Sequence, residues 1–422
     1  MITVIDSPCG AGKTHLMQHM MQNNPLQKYI YITPFLDECE MIRDTVPNTY
    51  MPSNRNNLGT KLNGIKLLLE HYDCNIASTH ALFSRFNADL ADIIQQNNYV
   101  LILDEVMNVV RELQKEDVNP ADIPKLIDSH CISIDDKTGK VNWIETPAYD
   151  GAFNKYASLF RDGDVFAIKN KQGKYTCYIW TFPIDVFKAF KDVYICTYMF
   201  DYQFQKFYYN LHDVKYIKKS IVNHELVDYT KQYIDCSKIH VYEGKNIYIG
   251  NNEYIEMYDI DKTKNTPFTV SWYKNRKSKT LTLVKNVMHN IQQNIFTCKS
   301  NDIIWTTYKA YKKQLSYKGY ARSFIPCNSR STNKYANRHY VMYMVDVRIN
   351  PFINQFFSIH GVKLTKYDED MYALSEMIQF ICRSAVRKHE DIHVFIPSHR
   401  MRTILNKYIS NGTPIVISKR GF

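Results

Sequence analysis

The sequence has no run of about 18 apolar residues, the length that a membrane-spanning helix needs. Its ten cysteines stand singly and form no CxxC pair, so a zinc site is not expected. A disulfide framework is not expected either, and we predict free thiols. No signal peptide is predicted, since Met1–Asp6 leads directly into a glycine-containing loop. These absences predict a cytoplasmic protein that is not in a membrane.

The composition is that of an ordinary globular protein, with 45% hydrophobic and 23% charged residues. A length of 422 residues allows two domains. The formal net charge is +11, from 53 Lys and Arg against 42 Asp and Glu, and such an excess attracts polyanions. The 32 tyrosines and 21 phenylalanines could stack on unpaired bases, but we expect most of them in the core.

A phosphate-binding loop is predicted near the N-terminus. A β-branched strand at Ile2–Ile5 is followed by SPCGAGKT, and a helix is predicted from near His15. This loop matches GxxxxGK[ST] except at its first position. Gly10 and Gly12 let the backbone wrap phosphates, Lys13 reaches the β- and γ-phosphates, and Thr14 offers a hydroxyl to Mg²⁺. The predicted phosphate-binding residues are Ser7, Pro8, Cys9, Gly10, Ala11, Gly12, Lys13 and Thr14.

Two acidic residues close a second strand. The apolar run that begins at Tyr99 predicts a buried parallel strand, and Asp104 and Glu105 stand at its end. Carboxylates in such a place are costly unless they have a role. We interpret Asp104 as a Mg²⁺ ligand and Glu105 as the residue that polarises the attacking water. Alone, the pair could be a solvated acidic turn, but the loop upstream favours a nucleotide site.

Three further strands are predicted to end in hydroxyls. They end at Thr33, Thr79 and Thr197, and ligands bind at such carboxyl edges of open α/β sheets. Each could also be a plain loop.

Between about 107 and 190 the alternation of strands and helices stops, and residues 131–145 and 166–180 predict two hairpins inserted into the first domain.

The C-terminal half repeats the pattern of strands and helices. The strand predicted at 302–308 ends in hydroxyls, including that of Thr307. Before it, Lys274, Arg276 and Lys277 belong to the densest basic cluster of the chain. We interpret the cluster as a nucleic-acid contact, with a solvated helix start as the alternative.

A final helix is predicted at 373–387. Its spacing would place Gln379, Arg383 and Arg387 in one polar stripe, four residues apart. Two arginines one turn apart suit a triphosphate, so we interpret them as arginine fingers. The alternative is a pair of surface arginines in salt bridges.

The ordered set of motifs resembles the helicases of superfamily 2. SPCGAGKT resembles motif I, LILDE motif II, YITPF motif Ia, STHALF motif Ib, the CTYMF strand end motif III, and QFICRSAVR motif VI. CNSRSTN with the strand from Tyr340 resembles motif V. CNSRSTN, ALSEMIQ, RSAVR and PSHRMR are similar to a group of phage-encoded replication helicases. The sequence departs from the helicase motifs at Ser7 and Cys382, where glycine is usual, and in DEVM after the second strand.

The resemblance implies an α/β fold with two RecA-like P-loop domains, parallel sheets flanked by helices, and β-hairpin insertions. We expect domains at 1–225 and 226–422. It implies ATP as the nucleotide, Mg²⁺, and a nucleic-acid partner, DNA rather than RNA, with phage replication proteins as possible further partners. Thr197 would couple nucleotide state to domain movement, Asn333 would lie near the cleft or the strand, and Gln379, Arg383 and Arg387 would sense the γ-phosphate.

The predicted function is an ATP-dependent DNA helicase or translocase in phage replication or recombination, in the host cytoplasm. Two lobes would close on ATP and step along the backbone. The alternatives are a P-loop small-molecule kinase, a DNA-packaging ATPase, and a binding module with a vestigial site. Glu105 argues against a kinase, which has no need to activate water, and the intact Lys13, Thr14 and Asp104 argue against a vestigial site.

Overall fold

The computed structural model describes residues 1–54, 59–144, 151, 153, 156–170, 172–244, 246–250, 253–256, 267–327 and 334–412. The chain forms two compact units, which we call unit 1 and unit 2. Unit 1 comprises Met1–Ser7, Ala11–Thr230 and Ile349–Thr365, and unit 2 comprises Pro8–Gly10, Lys231–Arg348 and Lys366–Phe422. Across the residues described, we find no helix both long and apolar enough to span a bilayer.

Strands and helices alternate along much of the chain. The strands are β1 (Ile2–Asp6), β2 (Tyr29–Thr33), β3 (Thr49–Tyr50), β4 (Asn75–Thr79), β5 (Val100–Asp104), β6 (Val110–Glu112), β7 (Ile132–Ile134), β8 (Lys140–Trp143), β9 (Asp164–Lys169), β10 (Tyr175–Thr181), β11 (Asp192–Thr197), β12 (Ile217–Val222), β13 (Glu225–Asp228), β14 (Ile239–Val241), β15 (Asn246–Gly250), β16 (Glu253–Glu256), β17 (Ile303–Thr306), β18 (Tyr340–Tyr343) and β19 (Ile392–Phe395).

The α-helices follow the same chain order. They are α1 (Lys13–Asn23), α2 (Leu36–Thr45), α3 (Lys61–His71), α4 (His80–Phe83), α5 (Ala88–Gln96), α6 (Ile123–Asp128), α7 (Ala157–Asp162), α8 (Ile184–Lys188), α9 (Phe204–Leu211), α10 (Val270–Lys274), α11 (Ser278–Asn290), α12 (Lys312–Leu315), α13 (Pro351–Ile359), α14 (Lys366–Ile381) and α15 (His399–Gly412).

Unit 1 is built on an eight-stranded sheet in the order β13-β12-β1-β11-β5-β2-β4-β3. All neighbours in it are parallel except β12 and β13, which form an antiparallel hairpin. Strands β2 and β5 are buried along their whole length, as expected for apolar runs covered on both faces. Because the strands are parallel, the carboxyl ends of β1, β2, β4, β5 and β11 meet at one edge of the sheet.

An antiparallel sheet is inserted into unit 1, in the order β6-β10-β9-β8-β7. It contains both predicted hairpins, β7–β8 and β9–β10, which are thereby confirmed. Helix α13 packs against it, with Ile353, Phe356 and Phe357 buried in the core of unit 1. The predicted boundary at 225/226 therefore differs from the structure, since burial of these apolar side chains returns 349–365 to unit 1, which otherwise runs to Thr230.

Unit 2 contains a four-stranded parallel sheet, β14-β19-β18-β17, and the hairpin β15–β16. Asp346 follows β18 and is buried, and its carboxylate accepts a hydrogen bond from Arg400 Nη1 at 2.7 Å and from Ser398 Oγ at 3.0 Å. Arg348 Nε lies 2.9 Å from the same carboxylate. A buried charge is tolerated only when it is paired in this way, so the network holds the loops after β18 and β19 together.

The expectation of free thiols is wrong for two cysteines. Within unit 2, Cys9 and Cys382 form a disulfide with their Cα atoms 6.1 Å apart. The other eight cysteines are free, and six of them are buried. The pairing joins residues 373 positions apart in the chain, so their proximity follows from the fold and is not visible in the spacing of the cysteines.

Candidate nucleotide-binding site

The glycine loop connects β1 to α1 and has two residues in the left-handed region. Gly10 has φ 82° and Gly12 has φ 85°, a conformation that strains any residue with a Cβ. A Cβ at Gly12 would also lie 3.4 Å from Nδ1 of His224, in the turn between β12 and β13. No side-chain cap to the first turn of α1 is found among the described residues. The backbone N–H groups of that turn are therefore suited to an anion.

The structure explains why serine occupies the first position of the loop. Ser7 is fully buried, and its Oγ accepts a hydrogen bond from the backbone N–H of Ile221 at 2.8 Å. Its own carbonyl oxygen accepts one from Lys13 Nζ at 2.6 Å. A serine in place of the usual glycine thus ties the loop to strand β12. The Lys13 ammonium therefore contacts the loop that is predicted to bind the phosphates.

Asp104 at the end of β5 is the centre of the site. Its Oδ2 accepts hydrogen bonds from Tyr31 Oη at 2.9 Å and from Thr14 Oγ1 at 3.0 Å. Burial raises the pKa of this carboxyl and the neighbouring Glu105 raises it further, whereas the hydrogen bonds from Tyr31 and Thr14 lower it. His80 also contacts this residue, with Nε2 3.0 Å from the Asp104 carbonyl oxygen. Tyr31 and His80 were not predicted as site residues. The only sequence signal for them is position, since Tyr31 lies in β2 and His80 directly follows the neighbouring strand β4.

Glu105 stands in a strained backbone conformation. Its φ is 67°, unusual for a residue with a long side chain, and its N–H donates to the carbonyl of Cys196 at 2.8 Å. Thr197 Oγ1 donates to Glu105 Oε2 at 3.4 Å. Strain of this kind is held in place by surrounding structure and clusters at functional sites. This hydrogen bond joins Glu105, the predicted water-polarising residue, to Thr197, the residue predicted to couple nucleotide state to domain movement.

The parallel register brings several predicted residues to one edge. Thr33 of β2 is paired with Thr79 of β4. The Thr33 hydroxyl donates to the carboxylate of Glu38, and the Thr79 hydroxyl accepts from Leu82 N at 3.4 Å as the cap of α4. Both threonines therefore have structural partners at the sheet edge.

Asp6 is a buried carboxylate at this edge that sequence reasoning missed. It accepts hydrogen bonds from the backbone N–H groups of Met199 at 2.7 Å and Phe200 at 3.2 Å, and so fixes the loop after β11. Burial raises its pKa to about 6, although those two hydrogen bonds lower it. Because the pKa is raised, protonation of Asp6 favours the folded state below about pH 4, and this contribution is lost as the pH rises through about 6.

The predicted stripe of Gln379, Arg383 and Arg387 is wrong, because the helix ends earlier. Helix α14 stops at Ile381, whose carbonyl accepts hydrogen bonds from the N–H of Ser384 at 2.9 Å and from its Oγ at 2.6 Å. A serine that bonds to the backbone in this way competes with helix continuation.

The three stripe residues consequently lie in different settings. Gln379 is on α14, Arg383 is buried with its guanidinium 5.5 Å from the Phe380 ring centroid, and Arg387 lies in a 3₁₀ turn at Ala385–Lys388. The structure therefore does not bring the two arginines into one helical fork, and their roles as arginine fingers stay predictions.

The other predicted residues that the structure describes belong to unit 2. Thr307 is buried just after β17. Lys274 and Lys277 are exposed around the start of α11, and the guanidinium of Arg276 lies 5.1 Å from the Trp272 ring centroid. Asn333 lies outside the described residues.

The class of the protein follows from two largely parallel sheets flanked by helices. The sheet of unit 1 has the glycine loop and the acidic pair at its carboxyl edge. The protein is a mixed α/β protein with a fold similar to the two-domain fold of XPD helicases, which confirms the predicted fold class. A solved structure of apo XPD aligns with a TM-score of 0.51 at 10% identity, covering 97% of this chain and 95% of the other. Xpd4 of S. tokodaii aligns with a TM-score of 0.48 at 12% identity, covering 96% and 93%.

The chain belongs to the YonV family. It is 33% identical over 431 residues to the SPbeta prophage-derived protein YonV of Bacillus subtilis (strain 168), covering 97% of this chain and 99% of that protein. Residues 232–409 match the YonV C-terminal Rossmann-like domain. The relative is prophage-derived, in agreement with the phage origin that the motifs suggested.

Proposed function

We propose that this protein is an ATP hydrolase driven by nucleic acid, a helicase or translocase that moves on DNA in preference to RNA. The observation that carries the proposal is the joining of Lys13, Thr14, Asp104 and Glu105 at one edge of the sheet in unit 1. The fold, similar to that of XPD helicases, supports the nucleic-acid track. The prophage-derived relative supports a phage origin. The proposed role in phage replication or recombination, in the host cytoplasm, rests on the resemblance of the motifs to phage-encoded replication helicases.

The residues present fit a magnesium nucleotide. The positive φ angles of Gly10 and Gly12 leave a cradle that side chains would fill, and the uncapped N-terminus of α1 favours phosphate. Thr14 and Asp104 offer hard oxygen ligands 3.0 Å apart, the donor type that Mg²⁺ prefers. Bound Mg²⁺ would neutralise charge on the phosphates.

The chain's own residues then have separate roles. When nucleotide binds, Lys13 would give up its hydrogen bond to the Ser7 carbonyl and contact the phosphates instead. Glu105 would orient the water, and its hydrogen bond from Thr197 would report the state of the site to the loop after β11. Tyr31 would keep the Asp104 carboxylate oriented through its 2.9 Å hydrogen bond. Gln379, Arg383 and Arg387 would stabilise the γ-phosphate, a role that rests on the resemblance of their motif.

A small-molecule kinase is the second candidate. It would use the same phosphate loop, but it transfers the phosphoryl group to a substrate and has no need for a water-polarising carboxylate. Glu105 is held in a strained conformation by a backbone hydrogen bond and by Thr197, which favours hydrolysis.

The test of the proposed function is steady-state ATP hydrolysis with and without single-stranded and double-stranded DNA and RNA. We expect stimulation of about tenfold or more by one of them, because a motor couples turnover to its track. The preferred polymer identifies the track. Hydrolysis that is the same with all four polymers would contradict the motor and favour the kinase.

His224 gives a prediction about nucleotide affinity. Its ring lies beside Gly12, so its Nδ1 is placed to hydrogen bond with a bound phosphate. His224→Ala should weaken ATP binding by about two- to tenfold, the effect of one lost hydrogen bond. The measurement is the Kd of a fluorescent ATP analogue, with His71→Ala on α3 as the control histidine in unit 1. Equal affinity in both variants would show that His224 does not contact the nucleotide.

A further inference from the structure

The positive charge of the protein is confined to one segment of unit 2. Residues 270–339 contain 14 of the 53 Lys and Arg but only one of the 42 acidic residues, Asp302. The rest of the chain has 39 basic and 41 acidic residues and is therefore close to neutral. The net charge of +11 is thus a local property of this segment.

Eleven of these 14 basic residues have side chains without an acidic partner among the residues that the structure describes. They are Lys274, Arg276, Lys277, Lys279, Lys285, Lys299, Lys309, Lys312, Lys313, Lys318 and Arg322. Basic side chains of unit 1, in contrast, are often paired, as Lys140 is with Asp164 and Arg111 with Asp117. Like charges without counter-charges repel one another, so a polyanion that covers them relieves this repulsion.

Ring contacts bring two stretches of this segment together. Tyr273 at the end of α10 stacks on Tyr311 before α12, with ring centroids 4.9 Å apart. His289 on α11 stacks on Tyr317 after α12, at 3.8 Å, and Lys285 lies 5.1 Å from the same tyrosine ring. Helix α11 also packs against α12. Residues 274–285 and 309–318 therefore share one surface, which we call the α10–α12 face.

The aromatic rings of the face are already used within the protein. Tyr273 is buried and donates its hydroxyl to the Met344 carbonyl at 2.7 Å. Tyr311 and Tyr317 are each stacked on another protein ring. Proteins that bind single strands use aromatic rings to stack on bases, so a face with its rings engaged favours contacts to phosphates alone. Such contacts do not require unpaired bases.

We propose that the α10–α12 face binds the phosphate backbone of a double-stranded nucleic acid, without sequence preference and without bound nucleotide. A duplex has the higher density of charge, about one per 1.7 Å of its axis, which suits closely spaced lysines without counter-charges. The inference rests on the proposed function for the choice of nucleic acid as the polyanion. The face would hold the duplex while the site in unit 1 runs its cycle.

The test uses three forms of the full-length protein in fluorescence anisotropy with a labelled DNA duplex, at several salt concentrations and without ATP. One variant carries Lys274→Gln, Lys277→Gln and Lys279→Gln. The matched control carries Lys66→Gln, Lys125→Gln and Lys188→Gln, three exposed lysines of unit 1 with side-chain exposures of 53%, 66% and 58%. Both variants lose three positive charges. They differ in the position of those charges and in their pairing, since the control lysines lie 3.7, 3.8 and 3.4 Å from Glu70, Asp122 and Asp185.

We expect the face variant to bind the duplex at least about tenfold more weakly than the control, with a salt slope smaller by about 2 to 3, one for each lost phosphate contact. Binding equal to that of the control would overturn the proposal. Tighter binding of a single strand than of a duplex would overturn the choice of duplex. Displacement by polyglutamate as readily as by DNA would overturn nucleic acid in favour of an acidic protein.

Separate experimental outcomes would contradict the proposed function and the proposed duplex-binding face. Lys13→Ala should lose hydrolysis and still bind the duplex like the unchanged protein, because the face does not include the phosphate loop. Duplex binding by the face together with hydrolysis that no nucleic acid stimulates would contradict the motor alone. Stimulated hydrolysis with normal duplex binding by the face variant would contradict the face alone.

Discussion

Lys13→Ala should lower ATP hydrolysis by at least about a hundredfold. The lysine is the first residue of α1, and its ammonium lies 2.6 Å from the Ser7 carbonyl, against the loop that would cradle the phosphates. Alanine removes the charged contact to the phosphates, and hydrogen bonds to charged groups contribute about 1.5–3 kcal/mol each. Affinity for ATP should fall as well, since the contact exists in the bound state and in the transition state.

The measurement is phosphate release at saturating ATP, with Lys66→Ala on the exposed face of α3 as the control. The melting temperature of both variants checks that the fold is intact. Turnover by Lys13→Ala close to that of the control would remove the phosphate-loop assignment and, with it, the proposed function.

Glu105→Gln should keep ATP binding and lower turnover by about 10²- to 10⁴-fold, the usual contribution of a general base. Glutamine has the same shape and the same backbone cost at φ 67°, so the loop after β5 should be preserved. It can accept the hydrogen bond from Thr197 but cannot polarise water as a carboxylate does. A variant that binds and does not hydrolyse would also trap the protein on its nucleic acid.

The control is Glu70→Gln on α3, a carboxylate paired with Lys66 far along the chain from the loop. Binding is followed by a fluorescent ATP analogue and turnover by phosphate release. Normal hydrolysis in Glu105→Gln would mean that another group orients the water.

Local patterns predicted most of unit 1. The strand before the glycine loop, the buried run before Asp104 and both inserted hairpins are visible because burial on two faces and tight turns each demand particular residues nearby in sequence. The site residues at the sheet edge follow from the same strands, since parallel strands present their carboxyl ends together.

Two kinds of feature were not predicted: a helix end set by a local hydrogen bond, and features that depend on tertiary contacts. The apolar periodicity of α14 predicted a helix that continues beyond Ile381. The helix ends at Ile381, where the Ser384 hydroxyl donates to the Ile381 carbonyl. Helix α13 reads like any amphipathic helix of the C-terminal half, and only its packing on the inserted sheet assigns it to unit 1. The hydrogen bond from Ile221 to the Ser7 hydroxyl spans 214 residues, and no local pattern encodes it.

The Cys9–Cys382 bond makes the chain topologically a ring with two short tails. All but the first eight and the last forty residues lie within the covalent loop that it closes. A single proteolytic cut inside that loop would leave both fragments attached to each other until a reductant separates them. The ring would also keep the unfolded chain more compact, so the intact bond should give faster migration in a denaturing gel. Peptide cleavage and loss of molecular integrity are therefore two separate events for this molecule.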